Sequence, residues 1–135
     1  MMKQELILLA LDASPILDLM ERALRAAGYE VAVAHDRPSM DKSIQEAIPA
    51  LVIIGEKFAD AEGLSMSREM LERFPTLPII LYTEQDTTGL LRSAFKTGLM
   101  GYLCPPLKVD DIVDEVRRSL NRARSLGDWL RREVK

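Results

Sequence analysis

Cysteine occurs once in this chain, at Cys104, histidine once, at His35, and aromatic residues make up only 5% of it. A single cysteine excludes an intramolecular disulfide, so the fold must rest on packing. His35 has no companion ligands at metal spacing, and no metal site is expected. No apolar run approaches the ~20 residues that span a bilayer. The N-terminus lacks the basic-then-apolar pattern of a signal peptide, so a cytoplasmic location without membrane contact is expected. There is also no glycine-rich phosphate loop, no serine or cysteine nucleophile motif and no dinucleotide fingerprint. No cofactor follows from these absences, and an enzyme is not the expected reading.

What is present is an ordinary globular composition, 47% hydrophobic and 29% charged over 135 residues, enough for one domain with one substantial core. The net charge of −3 conceals an asymmetry. Residues 117–135 hold seven cations against Asp128 and Glu133, a net of +5, which leaves −8 on the preceding 116 residues. A basic tail can contact nucleic acid or an acidic surface, but a solvated face of a terminal helix accounts for it as well. Nucleic acid is not the expected partner.

Apolar runs alternate with amphipathic segments. Leu6 to Leu11 shows no polar alternation and reads as a strand buried on both faces. Ser14-Pro15 places a capping residue before a proline suited to the first helical position, and Gly28 ends that helix. Further strands are predicted at Val31–Ala34, Leu51–Ile54, Pro78–Tyr82 and Gly101–Cys104. Helices are predicted at about Pro38–Ala47, Gly63–Phe74, Asp86–Thr97 and from Val109 onward. Five strands alternating with five helices imply an α/β fold: a doubly wound, five-stranded parallel sheet, with 2-1-3-4-5 the better-fitting strand order. Functional groups in such sheets sit on loops beyond the strands' carboxyl ends, here 11–14, 55–62, 83–88 and 105–107.

The segment from Pro49 through Ala50-Leu51-Val52-Ile53-Ile54-Gly55-Glu56-Lys57-Phe58 to Gly63-Leu64 resembles the part of bacterial response-regulator receiver domains (CheY-like) that carries the phosphoacceptor aspartate. The resemblance extends over residues 5 to about 121 and implies the flavodoxin-like (βα)5 receiver fold. A receiver has an acidic pair after strand one, an aspartate after strand three, a Thr or Ser after strand four and a Lys-Pro after strand five. Its carboxylates hold Mg²⁺, and its hydroxyl and lysine offset charge on the transferred phosphoryl. By this resemblance Leu11-Asp12 fall on the acidic pair, Gly55 on the phosphoacceptor, Thr83 on the hydroxyl, Tyr102 on the switch aromatic and Pro105-Pro106 on Lys-Pro. Leu11, Gly55 and Pro105 thus remove one metal ligand, the nucleophile and the cation together. The resemblance is to a degenerate receiver, a pseudo-receiver without phosphorylation chemistry, and it implies a cis bond before Pro106.

Each surviving residue also has a plain structural reading. Asp12 can cap the first helix, and Thr83 can serve as a turn hydroxyl. Gly55 can ease a tight turn, Tyr102 can be a fixed half-buried ring, and Cys104 a small buried hydrophobe. Glu56 adjoins Gly55, but adjacent strand residues face opposite sides, so it is not expected to substitute for an aspartate at 55.

The function expected is a phosphorylation-independent signalling module of the two-component type. By resemblance it would act through the face built from the fourth helix, fifth strand and fifth helix, with Thr88, Leu91, Arg92 and Tyr102 as candidates. A second reading, of another class, is a small-molecule sensor using the vacated site. The last helix is long. Its apolar stripe runs through Leu120, Leu126 and Leu130 with Trp129 beside it, so residues 1–121 are read as the receiver-like domain and 122–135 as a helical extension. That extension either docks back on the domain or meets a partner: a second copy, an output domain, a histidine kinase or another regulator.

Overall fold

The computed structural model describes residues 4–85 and 88–133. In chain order the elements are β1 (Leu6–Ala10), α1 (Pro15–Ala26), β2 (Glu30–Ala34), α2 (Arg37–Glu46), β3 (Leu51–Gly55), β4 (Lys57–Phe58), β5 (Ala61–Glu62), α3 (Gly63–Arg73), β6 (Ile79–Tyr82), α4 (Thr88–Thr97), β7 (Gly101–Leu103) and α5 (Val109–Glu133). The five long strands form one parallel sheet in the order β2-β1-β3-β6-β7, the doubly wound order expected. β4 and β5 form a separate antiparallel hairpin that the sequence pattern did not reveal, since two-residue strands leave no periodicity. The predicted start of α4 at Asp86 lies outside the described residues.

Alternation along the central strands divides the core in two. Ile7, Leu9, Leu11, Leu51 and Ile53 face α1 and α5, where they meet Leu17, Met20, Leu24, Ile112, Val116 and Leu120. Leu8, Ala10, Val52, Ile54 and Leu81 face the other way, toward Met40, Ile44, Met66, Met70 and Ala94 on α2, α3 and α4. Both faces are therefore apolar, as a parallel sheet between helical layers requires.

Local signals set the helix ends. Ser14 is the N-cap of α1, its hydroxyl accepting from Leu17 N–H at 3.3 Å, and Pro15 follows at the first position. Asp36 caps α2 in a reciprocal box with Ser39. The Asp36 carboxyl is held below its ordinary value by the Ser39 backbone N–H, then by the Ser39 side chain. Gly28, at φ +97°, takes the left-handed turn after α1.

α5 is continuous for 25 residues, longer than the sheet needs. Ile112, Val116 and Leu120 recur every fourth position and are buried against the sheet. Each such burial stabilises by about 1.5–3 kcal/mol. Leu120, on the stripe that offered a possible partner contact, is only 4% exposed. It is the last core residue of α5, because the helix still lies over the sheet at that turn. Beyond it, Arg124 meets both carboxylate oxygens of Glu5 at 2.6 Å, tying the helix to the segment before β1. Leu126 and Trp129 are exposed, at 38% and 51%, and Leu130 is half-buried.

Candidate functional site at the strand carboxyl ends

Four of the residues singled out by sequence, Leu11, Asp12, Gly55 and Thr83, line one cavity of about 350 Å³ at the carboxyl ends of β1, β3 and β6. Sheet register explains the grouping. β1 pairs Ala10 with Ile54, and β3 pairs Gly55 with Tyr82. Continuing by one residue gives a first row of Leu11, Gly55 and Tyr82 and a second of Asp12, Glu56 and Thr83. The first row is apolar or bare, and Leu11 and Tyr82 are buried. The second row carries two carboxylates and a hydroxyl.

Glu56 is the residue that sequence reasoning discounted. Alternation does set it opposite Gly55, but Asp12 and Thr83 are set opposite Leu11 and Tyr82 by the same rule, so all three share a row. The Thr83 hydroxyl donates to Glu56 Oε2 at 2.6 Å and lies 3.2 Å from the Gln85 carbonyl oxygen. The same hydroxyl oxygen accepts from Gln85 N–H at 2.9 Å. Thr83 is 1% exposed, whereas Glu56 is half-buried. The signal that identifies Glu56 was its in-register position beside Thr83, and that register exists only once the strands are paired.

Asp12 does not cap α1. Ser14 does, and Asp12 Oδ1 accepts from the Ala59 N–H at 3.0 Å, fastening the β4–β5 hairpin to the loop after β1. Ala59 and Asp60 both have positive φ, 52° and 62°, the two-residue turn that closes a tight hairpin. Phe58, fully buried, anchors it from beneath. The hairpin folds closely over the end of β3, and a Cβ on Gly55 would lie 3.1 Å from the Lys57 carbonyl oxygen. At Gly63 the approach is closer still, and a Cβ would collide with the Gly55 carbonyl oxygen. Gly63 N–H donates to Glu56 O at 2.8 Å and Glu56 N–H to Tyr82 O at 2.8 Å, so the Glu56 backbone is held from both sides. Tyr82 has its phenol pushed above the ordinary value, first by burial and then by the neighbouring Glu84 carboxylate.

Pro105 is not part of this cavity. It is exposed and lines a separate hollow between β7 and α5 with Tyr102 and Arg118. The Pro105–Pro106 bond is cis. Tyr102 is 37% exposed rather than half-buried, because Gly101 and Leu103 take the inward positions of β7. Cys104 is half-buried, not buried. Among the described residues no cluster of His, Cys, Asp or Glu is arranged to hold a metal ion, and no helix is long and apolar enough to cross a membrane.

Outside the cavity, Thr88, Leu91 and Arg92 line an open, largely apolar groove along α4 with Phe95 and Lys96. Phe95 is 56% exposed and was not singled out by sequence. On the neighbouring part of α5, Glu115 is buried at 7% exposure and held by Arg118 at 3.0 Å. It sits beneath β7 where Gly101 has no side chain, since a Cβ there would strike the carboxylate.

A model of the family described as "Response regulator receiver domain" matches residues 7–117. Transcriptional regulatory protein ZraR of Escherichia coli (strain K12) is 25% identical over 108 residues, 80% of this chain and 24% of that protein. The chain thus spans about a quarter of the length of the curated relatives it matches. Among solved structures, NtrX from Brucella abortus superposes with a TM-score of 0.84 at 25% identity, covering 98% of this chain and 29% of that one. The separate receiver domain of NtrX covers 85% of this chain and 98% of its own, at a TM-score of 0.80 and 26% identity.

Proposed function

Because the chain belongs to the response regulator receiver domain family, we propose that it is a pseudo-receiver, a signalling module that works without phosphorylation. The observation that carries this reading is the glycine at the end of β3. Position 55 offers no carboxylate as nucleophile or ligand, and the carboxylates nearby are already engaged within the chain, Asp12 by Ala59 and Glu56 by Thr83. Leu11 and Pro105 offer neither a second acid nor a cation. Signalling then proceeds through protein contacts at the face formed by α4, β7 and α5, where Thr88, Leu91, Arg92 and Tyr102 are accessible, and through the far end of α5. The longer NtrX chain matches 98% of this chain and the NtrX receiver alone 85%. That difference supports reading the α5 extension as a connection to a further domain or a second copy.

Two measurements test this. Incubation with a small phosphodonor and Mg²⁺ adds no phosphoryl mass, and an acid-labile adduct on the loop after β3 overturns the reading. Truncation after Arg124 keeps Leu120 and the Glu5 bridge but removes Leu126, Trp129 and Leu130. The shortened protein stays folded and loses self-association or partner capture, seen by sedimentation and pull-down. Unchanged association in both makes the extension a passive tail. A second reading, a small-molecule sensor, draws support from the cavity itself, which is at the small end of ligand sites. A ligand carried through purification, seen by native mass spectrometry, would favour it.

A further inference from the structure

We propose that copies of this chain associate head to tail: the end of α5 on one copy, with Trp129 among arginines, seats in the acidic cavity at the strand carboxyl ends of the next. This rests on reading the α5 extension as a contact element and names the surface that receives it. The two surfaces stand at opposite ends of the sheet. α5 starts beyond the carboxyl end of β7 and runs back along the sheet, so Arg122 meets the Met100 carbonyl just before β7 and Arg124 meets Glu5 just before β1. Trp129 lies five residues past Arg124 in the same unbroken helix, about 7.5 Å farther from the strand carboxyl ends. Its indole cannot reach the cavity of its own chain, and only a second copy brings the two together.

The two ends are complementary in charge and in shape. Asp12, Glu56 and Glu84 line the cavity with Lys57, and the adjoining hairpin adds exposed Asp60 and Glu62, a net of −4. Residues 121–132 hold Arg122, Arg124, Arg131 and Arg132 against Asp128, a net of +3. Opposed charges of this kind steer the encounter and fix which surface meets which. The apolar lining of the cavity is Leu11, Ile16 and Tyr82, and its volume of about 350 Å³ admits an indole ring. Trp129 is 51% exposed. Tryptophan and arginine are the side chains most enriched where interface energy concentrates. Because the donating and accepting surfaces differ, the contact is heterologous, and each docked pair keeps one tail and one cavity free for further copies.

Sedimentation of the full chain and two variants tests this. The unaltered chain grows in mass with concentration, past a dimer. Its association weakens on the order of ten-fold between ~0.1 M and ~1 M salt, as the screening length falls from about 10 to about 3 Å. A rim variant combines Glu62→Lys with Glu84→Lys, both exposed positions that leave Asp12 and Glu56 in place. A tail variant combines Trp129→Ala with Arg132→Ala, beyond the last core residue of α5. Each alone stays monomeric, since one lacks the acceptor and the other the donor. Mixed, they pair one to one and stop at a dimer, because the only intact surfaces are the tail of the first and the cavity of the second. Glu62→Gln with Glu84→Gln replaces the rim variant if the lysines disturb folding. A rim variant that associates like the unaltered chain overturns the docking and shows two α5 ends meeting each other, which leaves the extension a contact element. A mixture that stays monomeric overturns it as well. An unaltered chain that is monomeric at high concentration overturns both the docking and self-association through the extension.

Discussion

The cavity at the strand carboxyl ends and the last turns of α5 depart from a closed, self-sufficient domain in opposite directions. In the cavity the polar groups of the second row are partnered from within the chain: Asp12 by the hairpin, Glu56 by Thr83, Thr83 by Gln85. Along α5 beyond Arg124, Leu126 and Trp129 face water, Trp129 about half exposed, while Leu130 is half-buried. Thr83 is buried, and a buried polar group is costly unless satisfied, so its hydrogen bonds are met inside the fold, beside a half-buried Glu56 and an exposed Asp12. Exposed apolar surface is stabilised only by covering it, at roughly 25 cal/mol per Å² before association costs, so the helix end has capacity left over. Polar groups at the cavity are met within the fold, whereas apolar groups at the helix end are not.

The largest expected effect probes where α5 passes from one condition to the other. Leu120→Ala should cost about 2–5 kcal/mol by denaturant titration, because it opens a cavity between helix and sheet. Leu126→Ala, six residues on, should stay within about 0.5 kcal/mol in the monomer. Equal losses would mean that the docked region extends farther along the helix than Leu120 and Arg124 indicate.

Gly55→Asp tests how closed the cavity is. Its Cβ would sit 3.1 Å from the Lys57 carbonyl oxygen, and its charge would join those of Asp12 and Glu56 with no lysine to offset them. Crowding and like charge together should cost about 1–3 kcal/mol. Mg²⁺ should recover part of that loss in thermal melts, with no phosphoryl mass on addition of a donor. Phosphorylation as ready as that of an ordinary receiver would show that Leu11 and Pro105 matter little.

The smallest effect separates the two neighbours at the mouth of the cavity. Ser14→Ala should cost about 1 kcal/mol through the lost cap of α1. Asp12→Ala should leave α1 intact and instead loosen the β4–β5 hairpin, visible as faster amide exchange at Ala59. Loss of helix signal in the Asp12 variant would return Asp12 to a capping role.

Much of the fold was legible because it rests on local and periodic signals. The unbroken apolar runs at Leu6–Leu11 and Leu51–Ile54 and the Ser14-Pro15 start each act within a few residues. Their alternation constrains the layers, and the strand order follows the expected one. The glycine ending β3 was likewise plain. Three features were not legible. The hairpin at Lys57–Glu62 is too short to leave a pattern, and its turn uses Ala59 and Asp60 rather than glycine. Leu120 belongs to the same helical stripe as Leu126, and only the extent of the sheet beneath separates buried from exposed. Glu56 was set aside by an alternation rule applied to one strand, when its partners lie on two others.

The chain by itself determined the element order, the apolar faces of the sheet and which residue types stand at the strand ends. These are properties of neighbours along a backbone, where side-chain direction repeats every two or every 3.6 residues. The tertiary structure alone decided which strand ends stand abreast, and so that Asp12, Glu56 and Thr83 share a row. It also decided where along α5 burial stops. Register and coverage depend on residues dozens of positions apart meeting in space, and no periodicity within a single segment encodes that meeting.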